Sequence, residues 1–580
     1  VFSIVPSSSP TITVTSPNGG ERLIVGSIHK IAWTTSGSVG NVKITLSTNN
    51  GSSWSIITSS TSNDGKYSWR VPDLESPACL VCINEVSDGS PSDTSDAVFT
   101  IFAPTPPEIA LNRTQFNFCA LSSGTFTDSQ VLWLNNSGGG TLNWSTDAGV
   151  PWLNCTPGSG TNAGVLTVSV NPAGLTEGSY TGTITITDPN ASNSPQTVNV
   201  NLIVKSASQD QPPFGEFATP THGSIVRSSI PVTGWVLDDV EVKSVKIYNG
   251  SGYVGDAMFV EGARPDVEQA YPDYPKNSQA GWGYMLLTNS LPNGGNGTYT
   301  LYAKGADSTG NQVTLGSKTI NCDNAHAVKP FGTIDTPDQG GTASGANYVN
   351  WGWVLTPQPN HIPNDGSTIN VWVDGVKLGH PTYNIYRSDI ATLFPGYANS
   401  NGAVGYFYLD TTAFGNGVHT IQWTATDNAG NTDGIGSRYF MTRNSTQHNA
   451  QSAGRTAQGK EFEVNSSKPV GIIKGYKTGL EPAELEMIYP NERGMITVEA
   501  KEMERFELHF GGEGKLYGQM LVGNQFRPMP IGAYLDSNKG IFYWQIGAGF
   551  LGKYHLIFIE EDQYGNRIGS NIVVKIKPKF

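Results

Sequence analysis

The chain has 580 residues, including 68 Gly and 35 Pro, and only 14% of it is charged, against about 25% in an ordinary soluble domain. Its net charge of −13 argues against nucleic acid as a partner, because phosphate binding asks for a basic face and no Lys/Arg run supplies one. No stretch approaches the ~18 consecutive apolar residues of a membrane span, and the length implies four or five domains.

The first residues, Val1, Phe2, Ile4 and Val5, make an apolar strand. It suits either the first sheet of its own domain or an edge of a neighbouring copy, by strand addition. A start at Val1 without Met leads us to expect a removed signal peptide and an extracellular chain. Residues 1–103 read as one module of short alternating strands around Lys30-Ile31-Ala32-Trp33 and Val42-Lys43-Ile44-Thr45-Leu46. Within it, Ser47-Thr48-Asn49-Asn50-Gly51-Ser52-Ser53-Trp54 resembles the Asp-box of sialidases and other β-propellers. A propeller would repeat that hairpin around its blades; one copy fits a single Ig-like or fibronectin-like sandwich.

Ala103-Pro104-Thr105-Pro106-Pro107 is a stiff spacer. The second module, residues 104–206, carries Gly139-Gly140-Thr141-Leu142-Asn143-Trp144, Trp152-Leu153 and Gly178-Ser179-Tyr180-Thr181-Gly182. It resembles the BACON-type sandwich, a family linked to carbohydrate or mucin binding, so the resemblance implies a sandwich fold and a glycan ligand. Cys119 and Cys155 fall in this one module and can be drawn as a pair. Cys79 and Cys82 lie three apart on one strand and point to opposite faces; with Cys322 they are expected to be unpaired packing residues.

Residues 207–325 and 326–444 repeat one pattern. Phe214-Gly215, Gly234-Trp235-Val236-Leu237, Arg264-Pro265-Asp266 and Asp307 with Gly310-Asn311 recur as Phe331-Gly332, Gly352-Trp353-Val354-Leu355, Arg387-Ser388-Asp389 and Asp427 with Gly430-Asn431. The two copies resemble Ig-like modules of large secreted bacterial proteins, and each is expected to close its own core. The Arg/Asp pairs read as pins for the irregular segments that follow, since a guanidinium forks onto a carboxylate. Asp307 to Asn311 and Asp427 to Asn431 separate strand-like runs and read first as tight turns. Asp307, Asn311, Asp427 and Asn431 are also the oxygen ligands a Ca²⁺ would use there, though they are too few for a full shell.

Residues 445–580 open with a polar linker and end in a module richer in charge. Met529-Pro530-Ile531-Gly532-Ala533-Tyr534-Leu535-Asp536 and Gly552-Lys553-Tyr554-His555-Leu556-Ile557-Phe558 resemble the putative-Ig, cadherin-like domains of bacterial surface proteins.

No catalytic constellation emerges. The nine His are scattered, with no His-x-His or His-Glu-x-x-His, and the adjacent carboxylates Asp238-Asp239 read as a solvated turn. Trp351 and Trp353 share one face of a strand, where they serve either the core or a sugar-stacking platform. The expectation is an all-β chain of tandem β-sandwich (Ig-like) domains in an elongated array. It is read as an extracellular structural or adhesive protein, not an enzyme, self-associating into a filament, sheath or layer; the alternative is a carbohydrate-binding accessory region that meets glycans.

Overall fold

The structure is a computed structural model that describes residues 9–103, 105–444, 468–475, 485–511, 514–561 and 567–580. Val1, Phe2, Ile4 and Val5 therefore lie outside the described residues. Alternation sets the architecture: in Gln196–Lys205, Val198, Val200, Leu202 and Val204 are buried while Asn199 and Ile203 face outward. Alpha-helix is confined, among the described residues, to three short turns, Pro265–Ala270, Pro292–Gly295 and Ser388–Leu393.

The chain falls into two compact units, one of residues 1–108 with 138–142 and 190–192, the other holding the remainder. In the first, a sheet of Thr11–Ser16, Ile28–Ser36 and Lys66–Arg70 covers a second sheet built on Ser76–Glu85 and Val42–Ser47. Trp33, Trp69 and Phe99 are buried between them. The Asn-Gly stretch is a hairpin corner of this single sandwich. Asn49 Oδ1 accepts the Ser53 amide at 2.8 Å, and Asn50 and Gly51 take the positive φ the turn requires.

The second unit holds four sandwiches. In the module after the Pro-rich spacer, Gln115–Leu121 belongs to a five-stranded sheet and Leu153–Thr156 to the facing four-stranded one. Cys119 and Cys155 sit on these separate sheets and form no disulfide; all five cysteines are free. Cys119 packs with Leu121 and Val240 of the next module, and burial pushes its thiol up to about 11. The pairing drawn from the sequence is thus corrected, because Cys119 serves a junction between modules.

In the first copy, Gly252–Phe259 bonds to both Gly281–Leu287 and Val242–Asn249, so the two layers run on as one eight-stranded sheet. In the second copy the corresponding stretch is cut into Val376–Gly379 and Thr382–Ile385, and the layers separate into a five- and a four-stranded sheet. Pro381 stands in the break, where a ladder donor would be missing. The expected pins are present: Arg264 forks onto Asp266 at 2.8 and 2.7 Å. Arg387 reaches Asp389 at 2.7 Å and also Asp335.

Sandwiches that met only their chain neighbours would leave the faces of the last module in water. Instead it packs against both copies. Val260 and Ala263 of the first copy and Tyr439 of the second share one buried cluster with Trp544, Phe550 and Tyr554. The Tyr554 hydroxyl donates to the Ala263 carbonyl, and the Tyr439 hydroxyl to that of Ala548 at 2.8 Å. Two glycines allow this approach. A Cβ at Gly547 would lie 2.1 Å from the Tyr439 hydroxyl, and one at Gly283 would lie 2.5 Å from the Ala548 carbonyl. Four aromatic side chains in one seam represent several kcal/mol of burial, at roughly 2 kcal/mol each, and satisfied hydroxyls fix its register.

Candidate functional site

A cavity of about 290 Å³ opens where four modules of the second unit meet, toward the small end of ligand sites. One wall is a guanidinium cluster. Arg113, from the second module, is paired with Glu261 of the first copy and donates to the Ser278 hydroxyl at 2.6 Å. Asn112 is fixed beside it: its carbonyl accepts the Trp133 amide at 2.9 Å and its amide donates to Glu261 at 3.3 Å. Across the cavity Arg527, from the last module, donates to Glu268 at 3.0 Å. Both guanidinium groups keep a buried nitrogen with no acceptor, Nε of Arg113 and Nη1 of Arg527. A buried donor left unmade costs about 1–3 kcal/mol, and that cost falls within the junction, because both nitrogens are sealed from a water-sized guest.

The opposite wall is aromatic and cationic. His419 of the second copy bonds Asp374 through Nδ1 at 2.6 Å and the Gly415 carbonyl through Nε2 at 2.9 Å. Because a carbonyl only accepts, Nε2 must donate, and a carboxylate on Nδ1 favours the doubly protonated ring. Burial pulls this imidazole down, but Asp374 and the Gly415 carbonyl outweigh it and its pKa is raised. Phe414 leans on the ring at 5.6 Å, and half-buried Trp133 and Tyr534 complete the lining. Flat rings beside amide and guanidinium donors suit a polyhydroxylated ligand. No local motif announces this set: its members come from four modules and meet only when those modules dock.

The residues singled out from sequence are placed differently. Trp353 is 3% exposed, under Phe331 and Phe394 at 6.1 and 5.2 Å. It is a core residue, so a two-tryptophan platform does not form. Trp351 is half-buried and begins a different row, with Tyr406 at 5.1 Å across the ladder and Tyr408, 59% exposed, a further 5.3 Å on. Trp351 also packs against the cluster that holds Trp353, so it keeps only part of its surface for a ligand.

The hairpin loops are turns, as their residue types suggested. Asp427 Oδ1 accepts the amides of Ala429 and Asn431, both at 2.9 Å, and its Oδ2 accepts the Thr356 hydroxyl and the Asn431 side-chain amide, both at 3.0 Å. Burial would raise this carboxyl, but the donors outweigh it and its pKa is lowered. Both oxygens of Asp427 thus already accept protein donors, the side-chain amide of Asn431 among them. In the first copy Asn311 turns its amide to Asp210 at 2.9 Å, presenting hydrogens where a cation would need oxygen. Among the described residues no group of three or more His, Cys, Asp and Glu is gathered to hold a metal. Asp238, expected in a solvated turn, is 2% exposed. The sequence did carry a signal for it: the aligned position of the second copy is Thr356.

A family model of a bacterial Ig domain matches residues 213–303, most of the first copy. No curated protein matches the chain. Among solved structures, the fibronectin(III)-like modules of Clostridium thermocellum CbhA are 14% identical, over 40% of this chain and 97% of theirs, with a TM-score of 0.14. The protocadherin gammaB4 extracellular domain is 10% identical over 98% of this chain and 84% of that one, with a TM-score of 0.18. A Ca²⁺-stabilized adhesin with which an Antarctic bacterium binds ice is 14% identical over 75% of this chain and all of that one, at 0.19. With a bacterial Ig domain matched in the first copy, its sequence pattern repeated in the second, and sandwich sheets on either side, the chain is a multi-domain Ig-like protein.

Proposed function

We propose that this is an extracellular structural or adhesive protein, without catalytic activity, whose last three modules act as one stiff block within a surface filament, sheath or layer. The observation that supports this most is the polar content of the seam around the last module. Arg505 donates to the Gly375 carbonyl of the second copy at 2.6 Å, and Glu502 accepts the Thr233 hydroxyl of the first at 2.9 Å. Buried polar contacts of this kind define one arrangement and penalise others, which suits a load-bearing part better than a flexible tether. Sedimentation of the intact protein over a wide concentration range tests self-association. Polymers or discrete oligomers with interfaces above ~1,000 Å² are expected; a monodisperse monomer at high concentration contradicts the assembly.

A second reading, carbohydrate binding, is favoured by the four-module cavity with Trp133 and Tyr534 in its lining. Trp133→Ala should weaken binding of a glycan array hit about two- to tenfold, since loss of a stacking ring costs about 0.5–1.5 kcal/mol, and binding should vary little with salt. An array that stays blank, or a hit whose affinity ignores both Trp133→Ala and Tyr534→Ala, removes the cavity as a sugar site.

A further inference from the structure

The hairpin loops of the two copies share a sequence but close differently. In the second copy hydrogen-bond donors cover both oxygens of Asp427, Thr356 among them. In the first copy the position of Thr356 is Asp238, and the carboxylate that should be covered meets another carboxylate.

Both acids are held rigidly by one oxygen. Asp238 Oδ1 accepts the amides of Val240 and Glu241 at 2.9 and 2.7 Å. Asp307 Oδ1 accepts those of Thr309, Gly310 and Asn311 at 3.0, 2.7 and 2.8 Å. The other oxygen of each, Oδ2, is buried without a hydrogen-bond partner, in side chains 2% and 6% exposed. Two more buried, unpartnered oxygens belong to the same neighbourhood, Asp210 Oδ1 and the Ser308 hydroxyl. Asp210 is tied to the hairpin through Oδ2, which receives the Asn311 amide at 2.9 Å. Cations of the fold that lie near are already engaged: Lys205 with Asp239 at 2.8 Å, and Lys243 and Lys276 with Glu241.

Burial, with repulsion from Asp239 and Asp307, pushes the Asp238 carboxyl up to about 6 against the pull of its two amides. An all-oxygen set with buried carboxylates is the chemistry of a hard divalent cation, and irregular loops suit Ca²⁺ better than octahedral Mg²⁺.

We propose that the first copy binds one Ca²⁺ between its Asp238 turn and its Asp307 hairpin, using Oδ2 of both acids, with Ser308 and water completing the shell, and that the second copy binds none. This metal site is independent of the structural and glycan readings above.

The test uses the whole chain, stripped with EDTA and titrated with CaCl₂ by calorimetry and thermal unfolding. Binding at one site is expected, with a rise in midpoint of about 2 °C or more at a hundredfold excess over Kd, reversed by EDTA. Asp238→Thr installs the closure that the second copy already uses, so it should fold and yet bind at least tenfold more weakly. Asp238→Asn is the isosteric companion should the threonine variant misfold. No heat and no shift with millimolar Ca²⁺, or unchanged binding in both variants, overturns the proposal. A midpoint insensitive to Ca²⁺ that rises as pH falls through about 6, and only while Asp238 is present, would assign the oxygens to a shared proton and equally overturn it.

Discussion

Arg505→Ala is expected to lower stability by about 3–5 kcal/mol and to loosen the last module from the second copy. Arg505 and Glu507 are each 3% exposed and paired at 2.7 Å. The same guanidinium donates to the carbonyls of Gly375 and Gly475 at 2.6 and 3.2 Å and lies 4.8 Å over the ring of Trp372. Removing Arg505 leaves the Glu507 carboxylate buried with its bond to His509 at 2.9 Å but without its guanidinium, which is where a cost of that size arises. The double variant Arg505→Met with Glu507→Leu should recover part of the loss, because the buried carboxylate goes with its guanidinium, while His509 loses its bond to Glu507 at 2.9 Å. That variant should not recover the bond to Gly375. Urea unfolding of the three proteins checks this: a single variant within ~1 kcal/mol of the parent would mean that the pair does not hold the seam.

The second large effect is a pH dependence written into the other side of the same module. Glu502 is fully buried against the first copy, and burial pushes its carboxyl up to about 7, against the pull of the Thr219 and Thr233 hydroxyls and the amides of Gly549 and Lys579. Between about pH 4.5 and 7 the folded protein holds a proton on this group that the unfolded chain has released. Stability therefore falls as pH rises through that window, by about 3 kcal/mol in all, and stays at the lower level above it. Asp238, raised to about 6, adds a slope of the same sign over a lower range. Glu502→Gln keeps a hydrogen-bonding side chain and removes the titration. Its stability should be flatter between pH 5 and 7 by the Glu502 share, and a profile that overlays the parent would show that the group titrates normally.

Strand alternation made the sandwiches legible from sequence, because a sheet with one wet face repeats every two residues whatever lies beyond it. The repeat made the two copies legible as well, down to the Arg264–Asp266 pin. What surrounds those sandwiches was not legible. Trp351 and Trp353 are equivalent in the strand pattern, and contacts with Phe394, 41 residues past Trp353, bury Trp353 where Trp351 stays half-buried. Asp238 reads as a turn residue because its neighbours are turn residues; its burial depends on the hairpin at Asp307 and on the linker at Asp210. The cavity at Arg113, His419 and Arg527 is further still from any local signal. Each of those residues is unremarkable in its own strand or loop and becomes a wall only through docking. Cys119 fails as a disulfide partner for the same reason: it is used by the junction with Val240 rather than by its own core.

The claim that carries the rest is that the last module is locked onto both copies rather than merely following them. A specific protease site placed between Asn444 and Lys468, cleaved in the folded protein and followed by gel filtration at neutral pH, tests it directly. The account predicts that residues from Lys468 onward co-elute with the preceding modules after cleavage, and that Arg505→Ala makes them separate. Quantitative separation of the cleaved parent protein would contradict it.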